Sequence, residues 1–177
     1  GHMARPRNAD AADTRRRILE AAIQRFGEHG VKATSLRVIA ADAGVTFATV
    51  HHYFGSKAEL FDRCQEACYL RLRDFRSELL AALGAEACPA VERVRRLAEA
   101  AFDYAMDQRT VTRFLLRVTL YENNNLPRGR EAQNSYLDIA SDVLAPIVDQ
   151  PAAALRVHLQ GFMFLLTRLA IVSPREL

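Results

Sequence analysis

The sequence predicts an all-α fold in which three short N-terminal helices precede a larger helical region. Apolar residues recur three and four positions apart from Ile18 to Leu169, which is the spacing of one helix face. Glycine, proline and asparagine interrupt these runs, as they do at helix ends. We find no strand pattern that could carry a dinucleotide-binding fold. With 177 residues, half of them hydrophobic, the chain can bury a core.

The first helix is expected to begin at Asp13 or Thr14, either of which can act as its N-cap, and to end at Gly30. Its inward stripe comprises Ile18, Leu19, Ala22, Ile23 and Phe26. Arg15–Arg17 then fall in the first turn, where the helix macrodipole disfavours cations. Phosphate contact and simple solvation both remain open as explanations for this triplet.

A helix-turn-helix is predicted next, over Thr34–Leu60. The buried stripe of its first helix comprises Leu36, Ile39, Ala40 and Ala43, with Thr34 or Ser35 as the N-cap. Gly44 can take the left-handed conformation that closes a helix. Thr46 can cap a shorter second helix, which keeps Val50 inside. Packing leaves Thr46, Phe47, Thr49, His51 and His52 unexplained, and an exposed face of this kind is what reading a DNA major groove requires.

Gly55 interrupts the chain again, and Ser56–Glu59 has the S-x-x-E pattern of a capping box. A long connecting helix is therefore predicted over residues 56–83. We divide the chain into a tag remnant and basic arm (1–12), a helix-turn-helix domain (13–55) and a helical domain (56–177). The arm, which begins with the tag-like Gly1–Met3, is either disordered or able to enter a minor groove.

Residues at fixed spacing extend this pattern across four helical elements between about Thr14 and Phe61. They are Ile18, Phe26, Gly30, Thr34, Ile39, Ala40, Gly44, Val45, Tyr53, Phe54, Ser56, Lys57 and Leu60. With them, the stretch resembles the DNA-binding domain of TetR-family transcriptional regulators. His51 and Ala48 depart from the family pattern, which more often has tyrosine and glycine there.

The resemblance implies a homodimer that binds operator DNA and a helical C-terminal domain with a small-molecule pocket that controls release. The residues predicted to contact DNA are Thr34, Ser35, Thr46, Phe47, Ala48, Thr49, His51, His52, Tyr53 and Lys57. In the family, the lysine that matches Lys57 contacts a phosphate. An ordinary exposed capping-box residue is the alternative for this position.

Further helices are expected from Pro89 to about Gln108, Thr110 to Tyr121, about Arg130 to Ile147, and from Pro151 onward. Pro146 is expected to kink or end the third of these. The last helix is apolar on every side, which predicts burial on every side. A second copy of the chain could complete that burial as a four-helix bundle, with a core helix of a monomer as the alternative. The predicted dimer residues are Leu137, Leu144, Leu155, Leu159, Phe162, Leu166 and Leu169.

The effector pocket is implied chiefly by the resemblance. Its candidate residues are Phe102, Tyr104, Met106, Phe114, Arg117, Tyr121, Tyr136, His158 and Phe162. Such a lining would suit an apolar or amphipathic small molecule. For any single aromatic residue, a plain core role is the alternative. No cofactor and no metal ion are predicted.

Composition adds three expectations. Lys and Arg outnumber Asp and Glu by 13 to 9 in residues 1–76, against 11 to 12 in residues 77–177, so the positive charge accompanies the helix-turn-helix. Cys64, Cys68 and Cys88 form no disulfide framework, and the first two are expected to be small core residues rather than oxidant sensors or soft-metal ligands. The apolar stretch Leu159–Val172 is too short to span a bilayer, which indicates a cytoplasmic protein.

No catalytic motif is present, so the chain is predicted not to be an enzyme. The predicted function is that of a ligand-responsive, sequence-specific DNA-binding regulator of transcription. It would act as a repressor that binds a palindromic operator as a homodimer and is released by an effector. The alternative is a helical dimer whose helix-turn-helix is a protein-interaction module without an operator.

Overall fold

The computed structural model describes residues 7–83, 88–121, 137–138, 140–142 and 144–171. Every regular element in those ranges is an α-helix, which confirms the predicted all-α fold. The helices are α1 (Arg7–His29), α2 (Leu36–Ala43), α3 (Phe47–Phe54), α4 (Lys57–Leu83), α5 (Ala90–Asp107), α6 (Arg109–Tyr121), α7 (the described residues of 137–148) and α8 (Ala152–Ile171). No helix in the described part of the chain has the length and apolar content of a membrane span.

The chain divides into two compact units. The first unit comprises Gly1–Ala67 and Phe114–Asn123, and the second comprises Cys68–Arg113 and Asn124–Leu177. The division differs from the predicted boundary at residue 56, because the start of α4 and the second half of α6 pack with α1–α3. Helix α4 is uninterrupted, as the connecting helix was predicted to be.

Helix α1 begins at Arg7, so the prediction of a non-helical arm over residues 1–12 is wrong from that residue onward. The physical reason is that the stretch 9–12 is rich in alanine, and Asp10 lies in the first turn, where the macrodipole favours an anion. The Thr14 hydroxyl donates to the Asp10 carbonyl at 2.8 Å inside the helix and does not cap it. Arg15–Arg17 therefore lie beyond the first turn, and their expected conflict with the macrodipole disappears.

Three phenylalanines form the centre of the first unit. The ring of Phe61 meets Phe26 edge-on at a centroid distance of 5.4 Å and lies 5.6 Å from Phe114. All three side chains are buried. The predicted α1 stripe packs with them, since Ile18, Ala22 and Ile23 are also buried, together with Ile39, Val50 and Leu60. This core holds α1–α3 and the start of α4 together.

Close contact between α1 and α6 depends on Gly27. A β-carbon at this position would lie 3.2 Å from the Phe114 backbone nitrogen and 3.3 Å from its Cα. Arg117, one turn along α6, donates from Nε to the Gly27 carbonyl at 2.9 Å and from Nη2 to the Glu28 carbonyl at 3.0 Å. These two carbonyls belong to the last turn of α1, where no intrahelical donor is available.

We expect Gly27→Val to lower the free energy of unfolding by about 1–3 kcal/mol, because the added methyl groups would press on the α6 backbone, which cannot rotate away. Chemical unfolding followed by circular dichroism measures the change. Gln24→Val on the same helix is the matched control, since Gln24 is exposed and the substitution adds a β-branched residue without a clash. Equal losses for the two variants would contradict the close packing of α1 on α6.

The second unit is centred on Leu97 of α5 and Leu144 of α7, which are buried against Leu155 and Leu159 of α8. Helix α7 continues through Pro146 to residue 148, and Asp149, at φ 52°, follows its end. Pro146 therefore does not end the helix at once. Helices α5 and α8 begin one residue later than predicted, after Pro89 and Pro151, whose carbonyls accept the first helical hydrogen bonds.

The side of α8 predicted to form the dimer interface packs inside the second unit. Leu137, Leu144 and Leu166 are buried, and Leu155 and Leu159 lie against the core cluster. The prediction is therefore wrong for the buried Leu137, Leu144 and Leu166. It stays a prediction for the partly buried Leu155 and Leu159 and for Phe162 and Leu169, which are 38% and 37% exposed. Because α8 is apolar on every side, its sequence does not indicate which side meets the core of its own chain.

A different side of α8 is open to solvent. We call it the free face of α8, and it consists of Val157, Gly161, Phe164 and Leu165. The three large side chains are 58–68% exposed. Among the described residues, no atom outside the backbone of α8 and the neighbours of Gly161 in the chain lies within 4 Å of the place where its β-carbon would be. These residues form an apolar strip that has no side chain at its centre, where Gly161 lies.

Candidate nucleic-acid interface

The turn between α2 and α3 has the predicted caps. The Ser35 hydroxyl accepts from the Val38 N–H at 3.3 Å, which makes Ser35 the N-cap of α2. Gly44 ends the helix at φ 65°, and its N–H donates to the Ala41 carbonyl at 3.1 Å. The left-handed conformation suits glycine because it has no β-carbon. These contacts set the angle at which α3 leaves the turn.

Thr34 is the one predicted DNA contact that the structure contradicts. Its side chain is buried, and its hydroxyl lies 2.8 Å from the Gly30 carbonyl, to which it donates. The residue thus fastens the end of α1 to the start of α2. Thr34 and Ser35 both carry a hydroxyl, so the sequence could not show which of them caps α2 and which is buried.

Helix α3 presents the face that the sequence predicted. The Thr46 hydroxyl accepts from the Thr49 N–H at 3.1 Å and caps the helix, and Val50 is buried below it. The other side of the helix carries Phe47, Ala48, His51 and His52, all of them exposed. This face therefore carries an apolar ring in the first turn of α3 and two hydrogen-bonding rings in its last turn.

Aromatic contacts order the exposed face of α3. The rings of Phe47 and His51 lie nearly parallel, with an interplanar angle of 7° and centroids 6.2 Å apart. The guanidinium of Arg37, from α2, lies 5.2 Å from the Phe47 centroid, and that of Arg15, from α1, lies 5.1 Å from the Tyr53 centroid. Such cation–π contacts contribute about 0.5–1 kcal/mol at exposed sites. Arg37 was not predicted as a member of this site, and for Arg15 a phosphate contact was left open beside simple solvation; the ring contacts of both depend on the fold, which brings α1 and α2 beside α3.

Two further arginines fix α1 against α2. Arg25 forms a two-pronged ion pair with Asp42, and its Nη2 lies 3.0 Å from Oδ1. The hydrogen bonds from Arg25 lower the pKa of Asp42 below its ordinary value. Arg17 donates from Nη1 to the Ala43 carbonyl at 2.9 Å. Arg17 thus has a structural partner, and Arg16 is paired with Asp13 and Glu20 on its own helix.

The predicted capping box at the start of α4 is confirmed. The Ser56 N–H donates to Glu59 Oε2 at 2.7 Å, and the Glu59 N–H donates to the Ser56 hydroxyl at 3.2 Å. Between these residues, the ammonium of Lys57 donates to the Val31 carbonyl at 2.8 Å and to the Thr34 carbonyl at 3.0 Å. In this structure Lys57 therefore joins α4 to the loop between α1 and α2.

Replacing Lys57 by methionine separates a structural role from a phosphate contact. We expect Lys57→Met to lower the free energy of unfolding by about 1.5–3 kcal/mol without DNA, because two carbonyls lose a charged donor. Thermal unfolding measures this loss. Lys32→Met is the control, because Lys32 is an exposed lysine in the loop between α1 and α2. If stability were unchanged while the slope of log affinity against log salt fell in magnitude by about one, Lys57 would contact a phosphate instead.

The predicted effector residues belong to both units. In the first unit, Phe114 is part of the buried core and Arg117 donates to the Gly27 carbonyl of α1. Tyr104 stacks on Phe75 with centroids 4.0 Å apart. The remaining described candidates are Met106, whose sulfur accepts from Arg109, and the exposed Phe102, His158 and Phe162. The side chains of Tyr121 and Tyr136 lie outside the described residues.

The two cysteines of α4 have the environment predicted for core residues. Cys64 and Cys68 are fully buried. Burial raises the pKa of the Cys68 thiol to about 12. Because the thiolate is the reactive form, this environment suppresses its reaction with oxidants and metal ions.

The region from α1 to the start of α4 is similar in sequence to known proteins. Residues 18–64 match the sequence profile of the tetR family of bacterial regulatory proteins. The match extends from the α1 stripe through the α2–α3 turn to the capped start of α4. This match confirms the predicted resemblance to the TetR family over the helix-turn-helix and the start of α4. The members of this family are regulators of transcription and not enzymes, in agreement with the prediction for this chain.

Curated relatives align with only part of this chain. The HTH-type transcriptional regulator BetI of Agrobacterium fabrum (strain C58 / ATCC 33970) is 41% identical over 69 residues, or 39% of this chain and 32% of that protein. The chain thus aligns with about a third of this relative's length.

Two solved structures match the chain over most of its length. NalD, the secondary repressor of the MexAB-OprM multidrug efflux pump in Pseudomonas aeruginosa, superposes with a TM-score of 0.58 at 23% identity, covering 96% of this chain and 89% of NalD. A transcriptional regulator from Saccharomonospora viridis, in complex with choline, gives a TM-score of 0.65 at 26% identity and covers 90% and 84%. The fold therefore extends over both units.

Proposed function

We propose that this TetR-family chain is a ligand-responsive, sequence-specific regulator of transcription. It acts in the cytoplasm as a repressor, binds a palindromic operator as a homodimer and is released by a small effector. The observation that carries the proposal is the exposed face of α3, held by caps at both ends and presented away from a buried Val50. A short helix fixed in this way can enter a major groove with its N-terminal residues against the bases.

The side chains of that face suit the edges of base pairs. Thr49 and the two histidines can hydrogen-bond to bases or phosphates, and Phe47 can contact a thymine methyl group. Ser35, at the N-cap of α2, is exposed and can meet the DNA backbone. Arg15 and Arg37 flank the face on either side and add positive charge where phosphates would pass.

The free face of α8 supports the homodimer. Val157 and Leu165 stand one turn to either side of Gly161, and all three are exposed. Exposed apolar strips of this kind mark protein–protein contacts, and a two-fold axis lets one strip cover its own copy. The missing β-carbon at Gly161 allows two such helices to approach closely. A dimer would then carry two α3 helices, as a palindrome requires.

Effector release is supported by the single helix α4. It begins at the Ser56 cap in the first unit and ends in the second unit. A rigid helix shared by both units can couple a ligand in one to the DNA affinity of the other. The Saccharomonospora viridis neighbour was solved with choline, so small amphipathic cations are a reasonable class to include among candidate effectors.

Selection from a random pool of duplex DNA tests the proposal. The purified protein at physiological salt should enrich a palindrome. If each protomer neutralises about four phosphates, the logarithm of affinity should fall with the logarithm of salt at a slope near −7. Weak, salt-sensitive retention without an enriched sequence would overturn sequence-specific regulation and favour a protein-interaction module.

The selected duplex then tests for the effector. We would screen a broad set of apolar and amphipathic compounds, choline among them, by thermal shift and by release of the labelled duplex. The proposal expects at least one compound that raises the unfolding temperature and also lowers DNA affinity. Binding without release would overturn the regulatory coupling, and absence of any binder would overturn effector control.

A further inference from the structure

The Phe47 side chain is exposed at the start of α3 but is held by two neighbours. It is 42% exposed and belongs to the first residue of the helix. The His51 ring, one turn along the same helix, lies nearly parallel to the Phe47 ring at a centroid distance of 6.2 Å. The guanidinium of Arg37 lies 5.2 Å from the Phe47 centroid. The ring therefore has one partner on its own helix and one on α2.

The atoms around Phe47 on α3 are themselves fixed. Nδ1 of His51 lies 3.0 Å from the Gly55 carbonyl, and the Gly55 N–H donates to the His51 carbonyl at 2.9 Å. The backbone of Phe47 is fixed as well, because the Thr46 hydroxyl accepts from the Thr49 N–H at 3.1 Å and caps the helix. What remains to be restrained at Phe47 is the rotamer of an exposed side chain.

Arg37 supplies that restraint from another helix. In the described part of the chain its guanidinium contacts a ring and no carboxylate, in contrast to Arg25, which forms an ion pair with Asp42. A cation over an aromatic face is attracted to the ring, so each of the two side chains limits the movement of the other. A side chain that is ordered before binding loses less entropy when it docks. Arg37 therefore prepares Phe47 for a contact at a defined place.

We infer that Arg37 is a positioning residue that holds the Phe47 ring against the methyl group of one thymine in each half-site. The inference rests on the proposed operator binding. In the major groove a C5 methyl group distinguishes thymine from the other bases, and an apolar side chain can recognise it. Phe47 is the large apolar side chain of the exposed α3 face, beside Ala48, His51 and His52. The Arg37 charge also attracts phosphates, but that attraction is the same with or without the methyl group.

Replacing thymine by deoxyuridine removes this methyl group alone. We would replace each symmetric pair of thymines in the selected palindrome in turn and measure affinity by fluorescence anisotropy at constant salt. For one pair, the affinity of the unsubstituted protein should fall about fifteenfold, from about fourfold for each methyl group buried. In Phe47→Ala this methyl ratio should be close to one. A palindrome without a methyl-dependent pair, or a ratio that persists in Phe47→Ala, would overturn the inference alone. Failure to enrich any palindrome would overturn operator binding as well.

Arg37→Ala then tests the positioning role, with circular dichroism to verify folding. We expect the methyl ratio to fall by more than about twofold, beyond any general loss of affinity. Arg15→Ala is the matched control, because Arg15 is also an exposed arginine over a ring of α3, that of Tyr53. It should weaken binding to both duplexes equally. A methyl ratio that stays within about twofold in Arg37→Ala, or falls as far in Arg15→Ala, would show that Arg37 does not position Phe47 and would overturn the inference.

Discussion

Replacing Leu165 by glutamate is expected to prevent the proposed homodimer from forming and to lower the affinity for the selected palindrome at least a hundredfold. Leu165 is 61% exposed on the free face of α8, so a glutamate should not disturb the fold of a single chain. In the dimer it would bury an unpaired carboxylate against an apolar partner. Operator affinity would then fall because separate monomers bind the two half-sites independently. Linking two binding sites in one dimer raises the affinity by a factor of about 10²–10⁴.

Sedimentation velocity measures the oligomeric state of this variant, and fluorescence anisotropy with the selected duplex measures affinity. Val91→Glu is the matched control, because Val91 is an apolar residue of the second unit that is 82% exposed but lies on α5. The control should remain dimeric and bind DNA normally. If Leu165→Glu were dimeric as well, the free face of α8 would not be the contact between protomers.

Replacing Phe114 by alanine is expected to lower the free energy of unfolding by about 3–5 kcal/mol. Its side chain is 1% exposed and packs on Phe61, so its removal leaves a cavity in the core of the first unit. DNA binding should be lost at temperatures where the wild-type protein still binds, since α1–α3 share this core. Urea unfolding followed by circular dichroism gives the loss of stability.

Phe102→Ala is the matched control for the Phe114 variant. Both phenylalanines were predicted to line an effector pocket, but Phe102 is 43% exposed. We expect its replacement to cost less than about 1 kcal/mol, since little apolar area leaves the interior. A stable Phe114→Ala protein with altered effector binding would contradict the placement of Phe114 in the core of the first unit.

The helix-turn-helix could be predicted because its signals are local. The caps at Ser35, Thr46 and Ser56 and the breaks at Gly44 and Gly55 each act within four residues, where sequence spacing equals spatial proximity. The exposed histidines follow from the same spacing. The cation–π contacts of Arg15 and Arg37 could not be predicted, because they depend on how separate helices pack.

The second unit was harder to predict for a related reason. In α8, Leu155 and Leu165 have the same chemistry, yet the first packs on the core and the second is exposed. Likewise, the sequence shows Phe114 as one aromatic residue among many, while the fold places it beside Gly27. Periodicity locates a helix, but when all of its sides are apolar, only its neighbours decide which side is buried.

In the proposed complex, two copies of α3 read two half-sites of one duplex. Sedimentation equilibrium of the protein with the selected palindrome, and with a duplex in which one half-site is scrambled, tests this arrangement. We predict two protomers on each palindrome and an affinity at least a hundredfold lower for the scrambled duplex. One protomer per palindrome, or equal affinity for the two duplexes, would contradict it.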